Sequence, residues 1–293
     1  MNPRSCRWLI VSALVITASG AWAQQSAPPA SDQKVSRSWE ATAQLLKREC
    51  SAPPALDTKS VAEQEAANGD ATTQCGLGAM YYGGHGVPQD FAQAALWWRK
   101  SAEQGNSSAQ WLLGGLYATG HGVSRDYTQA ALWYRKAAEQ GNALAQYDLG
   151  EAYYAGQGVP QDYAQAESWF RKAAEQGYAK AQSILGGLYG AGQGVPQDFA
   201  QAAVWFRKAA EQGDADAQYS LGGLYYIGQG VPQDWAEAYY WNDLAAAGKA
   251  DASNATDAAK YRDKAASHLT PAELSREQER AQQWFEAHQA KPQ

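Results

Sequence analysis

Apolar residues recur at helical spacing in two runs of one stretch, residues 141–176. In the first run Leu149 and Tyr153 share one face, which predicts a helix over residues 143–155, here called helix A. The second run predicts a second helix, helix B, because its apolar positions are also three or four residues apart. These positions are Tyr163, Ala166, Trp169, Phe170 and Ala173.

Glycine and aspartate residues mark where these helices begin and end. Gly156 offers the left-handed backbone position at which many helices stop, and residues 157–161 form an irregular connection. Asp162 stands where an N-cap carboxylate accepts hydrogen bonds from the free N–H groups of the next turn. The same reasoning predicts helix N-caps at Asp90, Asp126, Asp162, Asp198, Asp234 and, before a last helix, Thr270.

Near-copies of this unit follow one another along the chain. They begin at Gly69, Gly105, Gly141, Gly177 and Gly213, each 36 residues after the last. Self-similarity at such a period is typical of units that cannot bury their apolar faces alone and stack on their neighbours. The sequence therefore predicts an all-α solenoid with five repeats, at residues 69–104, 105–140, 141–176, 177–212 and 213–248.

Two aromatic columns run through the repeats. A large ring at a fixed position fills the same space between helices each time and buries about 150–250 Å². We therefore assign both columns to the structural core. The members are Trp97, Trp133, Trp169, Trp205 and Trp241 in one column, and Tyr81, Tyr117, Tyr153, Tyr189 and Tyr225 in the other. Mid-helix glycines such as Gly150 cost about 1 kcal/mol of helix propensity relative to alanine, which indicates close approach of helices there.

The whole pattern of one unit resembles the Sel1-like repeat, a relative of the tetratricopeptide repeat. It comprises Leu149-Gly150, Tyr153, Gly156-Gln157-Gly158-Val159, Asp162, Ala166, Trp169 and Lys172-Ala173-Ala174. The resemblance covers residues 69–248, with departures at Ser124-Arg125 and Asn242. It implies a right-handed superhelix of antiparallel helix pairs that serves as a protein interaction scaffold.

The segments outside the repeats have other compositions. Residues 1–23 combine Arg4, Arg7, an apolar run and a final Ala-Trp-Ala, the pattern of a secretory signal peptide. Residues 24–34 lack core-forming residues and are expected to be a disordered linker. We expect degenerate capping helices at residues 35–68, and capping helices with a tail at residues 249–293. The prediction is an exported protein, periplasmic in the first place or else secreted, without a stable membrane span in the mature chain.

The charge of the chain argues against nucleic acid as a partner. The formal net charge is −6, and loss of Arg4 and Arg7 with the signal would leave 22 basic against 30 acidic residues, or −8. Phosphate backbones are bound by clustered Lys and Arg. The repeated Arg-Lys pair, as in Arg99-Lys100, is followed one turn later by an acid such as Glu103, which indicates a solvated helix face.

Cysteine and histidine give few candidates for chemistry. Cys50 and Cys75 would remain after export, and the sequence leaves open whether they form a disulfide, because a strict repeat register would hold them apart. His85 and His121 share one column, but they lack the further ligands that a metal site needs. No nucleophile or phosphate-loop motif is present. We therefore expect a protein that is not an enzyme, with no cofactor and no metal.

One set of positions varies between repeats while keeping helical spacing on helix A. Such positions are released from the common packing role, and helix A usually lines the concave side of stacked helix pairs. We call this set the aromatic stripe: Tyr82, Trp111, Tyr147, Glu151, Tyr154, Tyr219 and Tyr226. The stripe predicts a groove for a peptide or helix of a partner protein. Two alternatives stay open, carbohydrate contact through the same rings and simple packing between repeats.

Overall fold

The computed structural model describes residue 66 and residues 69–248 and 252–289. These residues contain twelve α-helices and no strand. The helices are α1 (Ala71–Gly83), α2 (Phe91–Glu103), α3 (Ser107–Thr119), α4 (Tyr127–Glu139), α5 (Ala143–Ala155), α6 (Tyr163–Glu175), α7 (Ala179–Ala191), α8 (Phe199–Glu211), α9 (Ala215–Ile227), α10 (Trp235–Ala247), α11 (Ala252–Ala266) and α12 (Pro271–Gln289). The predicted signal peptide, the linker and nearly all of the N-terminal cap lie outside the described residues.

The described residues divide into two compact units, the first up to Trp169 and the second from Phe170 onward. In the first unit α1 packs against α2, α2 against α3, α3 against α4, and α4 against α5. In the second unit the same succession runs from α7 to α11, and α12 packs against α10. Consecutive helix pairs that stack on their neighbours make an all-α solenoid, which confirms the predicted fold class.

Side-chain caps fix the beginning of almost every helix in the repeats. Asp90, Asp126, Asp162, Asp198 and Asp234 each accept hydrogen bonds from the second and third N–H groups of the helix that follows. The A helices carry a second set of caps that the sequence reasoning did not assign. It consists of Asp70, Asn106, Asn142 and Asp214.

The second glycine of the turn between helices A and B lies directly on the preceding repeat at Gly122, Gly158 and Gly230. A Cβ added at Gly158 would stand 1.9 Å from the carbonyl oxygen of Tyr127, and the backbone φ of Gly158 is +73°. The turn of one repeat therefore rests on the first residue of helix B before it. Only glycine satisfies both the close approach and the left-handed conformation.

The mid-helix glycines let an aromatic side chain of helix B cross the axis of helix A closely. A Cβ at Gly78 would lie 2.4 Å from Trp98 Cδ1, and one at Gly186 would lie 2.5 Å from Phe206 Cδ1. Trp98 is fully buried and Phe206 is buried. The ring that fills the space between the two helices of a repeat is thus the residue after the tryptophan column.

The tryptophan column is buried in most repeats. Trp97, Trp133, Trp205 and Trp241 are buried, whereas Trp169 is half-buried. Lysine side chains cover three of these rings: Lys100 Nζ is 4.0 Å from the ring centroid of Trp97, and the equivalent distances at Trp133 and Trp205 are 3.9 and 4.1 Å. The lysine of the Arg-Lys pair therefore packs on its own helix by a cation–π contact.

The tyrosine column is less buried than the sequence reasoning assumed. Tyr81 is buried, but the four later members, Tyr117, Tyr153, Tyr189 and Tyr225, are half-buried. Their rings pack against the core, while their hydroxyls accept a hydrogen bond from the arginine of the preceding helix B. In the first unit Arg135 Nη2 lies 2.6 Å from the Tyr153 hydroxyl oxygen. This column therefore joins successive repeats by a polar contact at its outer end.

A chain of buried glutamines links the repeats from inside. Gln110 is 5% exposed, and its Nε2 donates to the carbonyl of Ala102 on the preceding helix at 3.0 Å. Its Oε1 accepts from Gln140 Nε2 at 2.7 Å. Gln182, Ala174 and Gln212 repeat this arrangement in the second unit. Hydrogen bonding of this kind offsets the cost of burying an amide.

The C-terminal helix is held to α10 by ionic and aromatic contacts. Thr270 and Glu273 form a reciprocal capping box, with Thr270 N donating to Glu273 at 2.8 Å. Arg280 pairs with Glu237 at 2.7 Å, and its guanidinium lies 3.7 Å from the ring centroid of Tyr240. Glu237 in turn accepts from Trp241 Nε1 at 2.8 Å.

Candidate interaction face

The two stripe residues of the second unit both contact the C-terminal part of the chain, but Tyr219 is buried and Tyr226 is half-buried. Tyr219 is 2% exposed and packs with Ala258, and its ring centroid is 6.3 Å from that of Tyr261. Tyr226 makes edge contacts with Tyr261 and Trp235, at 5.2 and 5.1 Å. Helix α11 thus fills the place where a partner was expected. At Tyr219 the packing alternative describes the structure better than an open groove.

The stripe residues of the first unit leave a more accessible surface. Tyr82, Tyr147 and Glu151 are half-buried, whereas Trp111 is 9% and Tyr154 is 7% exposed. The rings of Trp111 and Tyr154 therefore form the buried part of this surface, and the other three residues reach solvent. We call the first-unit stripe the set Tyr82, Trp111, Tyr147, Asp148, Glu151 and Tyr154.

Asp148 enters this set through a contact that the sequence reasoning missed. Its Oδ2 accepts a hydrogen bond of 2.6 Å from Trp111 Nε1, which joins α5 to α3. A comparison between the repeats could have singled out Asp148 from the sequence. The same column holds Leu112 and Ile184 in the flanking repeats, so a carboxylate there breaks the apolar pattern.

Ring pairs and burial set the properties of the tyrosines. The ring centroid of Tyr82 is 5.1 Å from that of Phe91 and 5.4 Å from that of Trp98. Burial raises the pKa of Tyr82 to about 12. Tyr154 meets Tyr163 edge-on at 5.1 Å, and its pKa is raised, first by burial and then by electrostatic interaction with Tyr163 and Glu151. These phenols are neutral donors at physiological pH.

Charge is distributed unequally between the two rows of helices in the first unit. Helices α1, α3 and α5 contain no Lys or Arg, and their two charged residues are Asp148 and Glu151. The basic residues of α2 and α4 lie on helix B, where the arginines bind tyrosine hydroxyls and the lysines cover tryptophan rings. The A-helix row of this unit is therefore aromatic and acidic.

Other chemistry has little support among the described residues. They contain no group of three or more His, Cys, Asp or Glu residues arranged to hold a metal. The imidazole of His121 is stacked on Phe91, with ring centroids 5.1 Å apart. Among the helices of the described part of the chain, none is long and apolar enough to cross a membrane.

Cys75 is buried and forms a disulfide. The other two cysteines of the chain, Cys6 and Cys50, lie outside the described residues. The pairing of Cys75 with Cys50, which the sequence leaves open, therefore lies outside the described residues.

Stacked helix pairs of 36 residues, with a fixed set of caps, glycines and rings, define an α-solenoid repeat protein. The Sel1 repeat matches residues 71–106, 107–142, 143–178, 179–214 and 215–249, two residues later than the units counted from Gly69. The chain belongs to the Sel1 repeat family.

Solved structures agree with this assignment. The chain is similar to a protective antigen of uropathogenic Escherichia coli with an SLR fold, at 35% identity over 69% of this chain and a TM-score of 0.63. It spans 48%, about half, of that antigen. It is also similar to a Sel1 repeat protein from Oxalobacter formigenes, at 36% identity over 62% of this chain and 74% of the other, with a TM-score of 0.60. No curated protein matches the chain significantly.

Membership of this family indicates a general function. Sel1 repeats generally mediate protein–protein interaction, and scaffolds of this family are generally non-catalytic. This agrees with the interaction role that the resemblance implied.

Proposed function

We propose that this protein is an exported, non-enzymatic adaptor whose first-unit stripe takes a peptide segment or helix of a partner protein. The observation that carries the proposal is the half-buried surface of Tyr82, Tyr147 and Glu151 around the rings of Trp111 and Tyr154. Tyrosine and tryptophan dominate binding energies because they are large and rigid and carry a polar edge.

A site-specific crosslink tests this proposal. A photo-reactive phenylalanine analogue replaces Tyr147 in one variant and Leu132 in a matched control, since Leu132 is an apolar residue, 45% exposed, on helix B. Irradiation in cells should give a discrete protein adduct from position 147 and none of that mass from position 132. Equal adducts from both positions, or none from position 147, would contradict the proposed face.

Export forms a second part of the proposal and has its own test. The basic, apolar and Ala-Trp-Ala regions of residues 1–23 support cleavage after Ala23. The intact mass of the protein released from the periplasm should then correspond to a chain that begins at Gln24. A product that retains Met1 would refute this part alone.

Carbohydrate binding is the second candidate, favoured by one contact. The carboxylate of Asp148 lies 2.6 Å from the indole nitrogen of Trp111, so an acceptor stands at the edge of an aromatic ring. An envelope oligosaccharide that quenches tryptophan fluorescence in the wild-type protein and not in a Trp111→Phe variant would favour this candidate over the adaptor.

A further inference from the structure

The partner chemistry follows from the charges around the first-unit stripe, if that stripe is the binding face proposed above. Asp148 and Glu151 stand where the flanking repeats have Leu112 with Gly115 and Ile184 with Gly187. Repeat three therefore differs from its neighbours by two acids, both on helix α5. A common packing role does not account for this difference, since the flanking repeats fold with apolar or small residues at both positions.

Each acid lies close to a buried ring. Asp148 is hydrogen-bonded to Trp111, and Glu151 precedes Tyr154 by three residues on the same helix, so the two side chains share one face of α5. An aromatic face with an adjacent carboxylate favours a cationic group, because the ring attracts the cation by its quadrupole and the carboxylate by its charge. Arginine suits such a place better than lysine, because its guanidinium stacks on a ring and forks to a carboxylate.

Competing cations are absent from the A-helix row of this unit. Helices α1, α3 and α5 carry no Lys or Arg. The nearest basic residues in sequence, Arg135 and Lys136, are on α4 and are engaged with Tyr153 and Trp133. The formal charge of the whole chain is −6, which adds a long-range attraction for a basic partner.

We propose that the first-unit stripe recognises a basic segment of a partner protein, with an arginine or lysine held against the exposed part of the Tyr147 ring and the carboxylates of Asp148 and Glu151. The acids select the charge of the segment and the rings hold its side chains. Binding of this kind is faster at low salt, because opposite charges steer the encounter.

The test selects ligands without assuming their sequence. A displayed library of random 15-residue peptides is panned on the full-length purified protein, and enriched peptides are synthesised and titrated by fluorescence anisotropy at two salt concentrations. The test variant is the double substitution Asp148→Asn and Glu151→Gln, which keeps the shape of both side chains. The control is the double substitution Glu103→Gln and Glu139→Gln, which removes two charges from the exposed ends of α2 and α4. Thermal melts check that all variants fold.

The expected result is enrichment of Arg and Lys beside apolar residues. We expect affinity to fall about 5- to 20-fold in the Asp148–Glu151 double variant, as for the loss of two partly exposed ion pairs, and to change little in the control. Neutral or acidic binders that lose affinity with Tyr147→Ala but not with the double variant would overturn the basic-segment inference and leave the adaptor function standing. Binders insensitive to Tyr147→Ala would overturn both.

Discussion

Replacement of Gln110 by leucine should destabilise the protein through lost hydrogen bonds alone. Gln110 is 5% exposed and makes two hydrogen bonds: its Nε2 donates to the Ala102 carbonyl at 3.0 Å, and its Oε1 accepts from Gln140 at 2.7 Å. Leucine has a similar volume but removes both bonds. Each bond contributes about 0.5–1.5 kcal/mol net, so the loss should be about 1–3 kcal/mol.

The measurement is urea unfolding followed by circular dichroism, with Gln201→Leu as the matched control because Gln201 is an exposed helical glutamine. The control should change stability by less than about 0.5 kcal/mol. A Gln110→Leu, Gln140→Leu double variant should lose little more than the single variant, since the second amide has already lost this acceptor. Equal stability of Gln110→Leu and the control would refute the linking role of the glutamines.

Two further variants test packing and electrostatics. Tyr154→Ala should lower the free energy of unfolding by about 3 kcal/mol or more, and with it the melting temperature, because Tyr154 is 7% exposed and packs edge-on against Tyr163. An unchanged melting temperature would show that its ring is not part of the core. Asp214 has a raised pKa because it is desolvated, so its ionisation weakens the fold as pH rises above its ordinary value of 3.8. Asp214→Asn keeps a capping side chain, because Asn106 and Asn142 cap the equivalent helices. The free energy of unfolding of this variant, minus that of wild type, should therefore rise from acidic to neutral pH. A difference that falls over this range would contradict the argument.

Much of the fold was predictable because one physical pattern is repeated five times. Gly156 ends helix A with a φ of +68°, as its place after the apolar run indicated. Asp162 accepts from the N–H groups of Ala164 and Gln165, as an aspartate before such a run should. Helix caps and helix ends depend on a few neighbouring residues, so the sequence of one repeat is enough to predict them. The other repeats show the same residues at the same positions.

The missed features depend on contacts between elements. Gln110 and Asp148 look like ordinary polar residues of a helix, and only the stacking of neighbouring helices shows that each has a partner there. Tyr219 looked like a binding residue because it varies between repeats. Helix α11, which begins 33 residues after Tyr219, covers it, and no local sequence pattern predicts that contact.

The most direct test of the central claim is a binding titration of the protein captured by the crosslinker at position 147. Wild type, Tyr147→Ala and Leu132→Ala are titrated with that partner, and each variant is melted. The account predicts that Tyr147→Ala folds normally and weakens binding by about 2 kcal/mol or more, roughly 30-fold, while Leu132→Ala leaves the affinity unchanged. Equal affinity of Tyr147→Ala and wild type, with both folded, would contradict the claim that the first-unit stripe is the binding face.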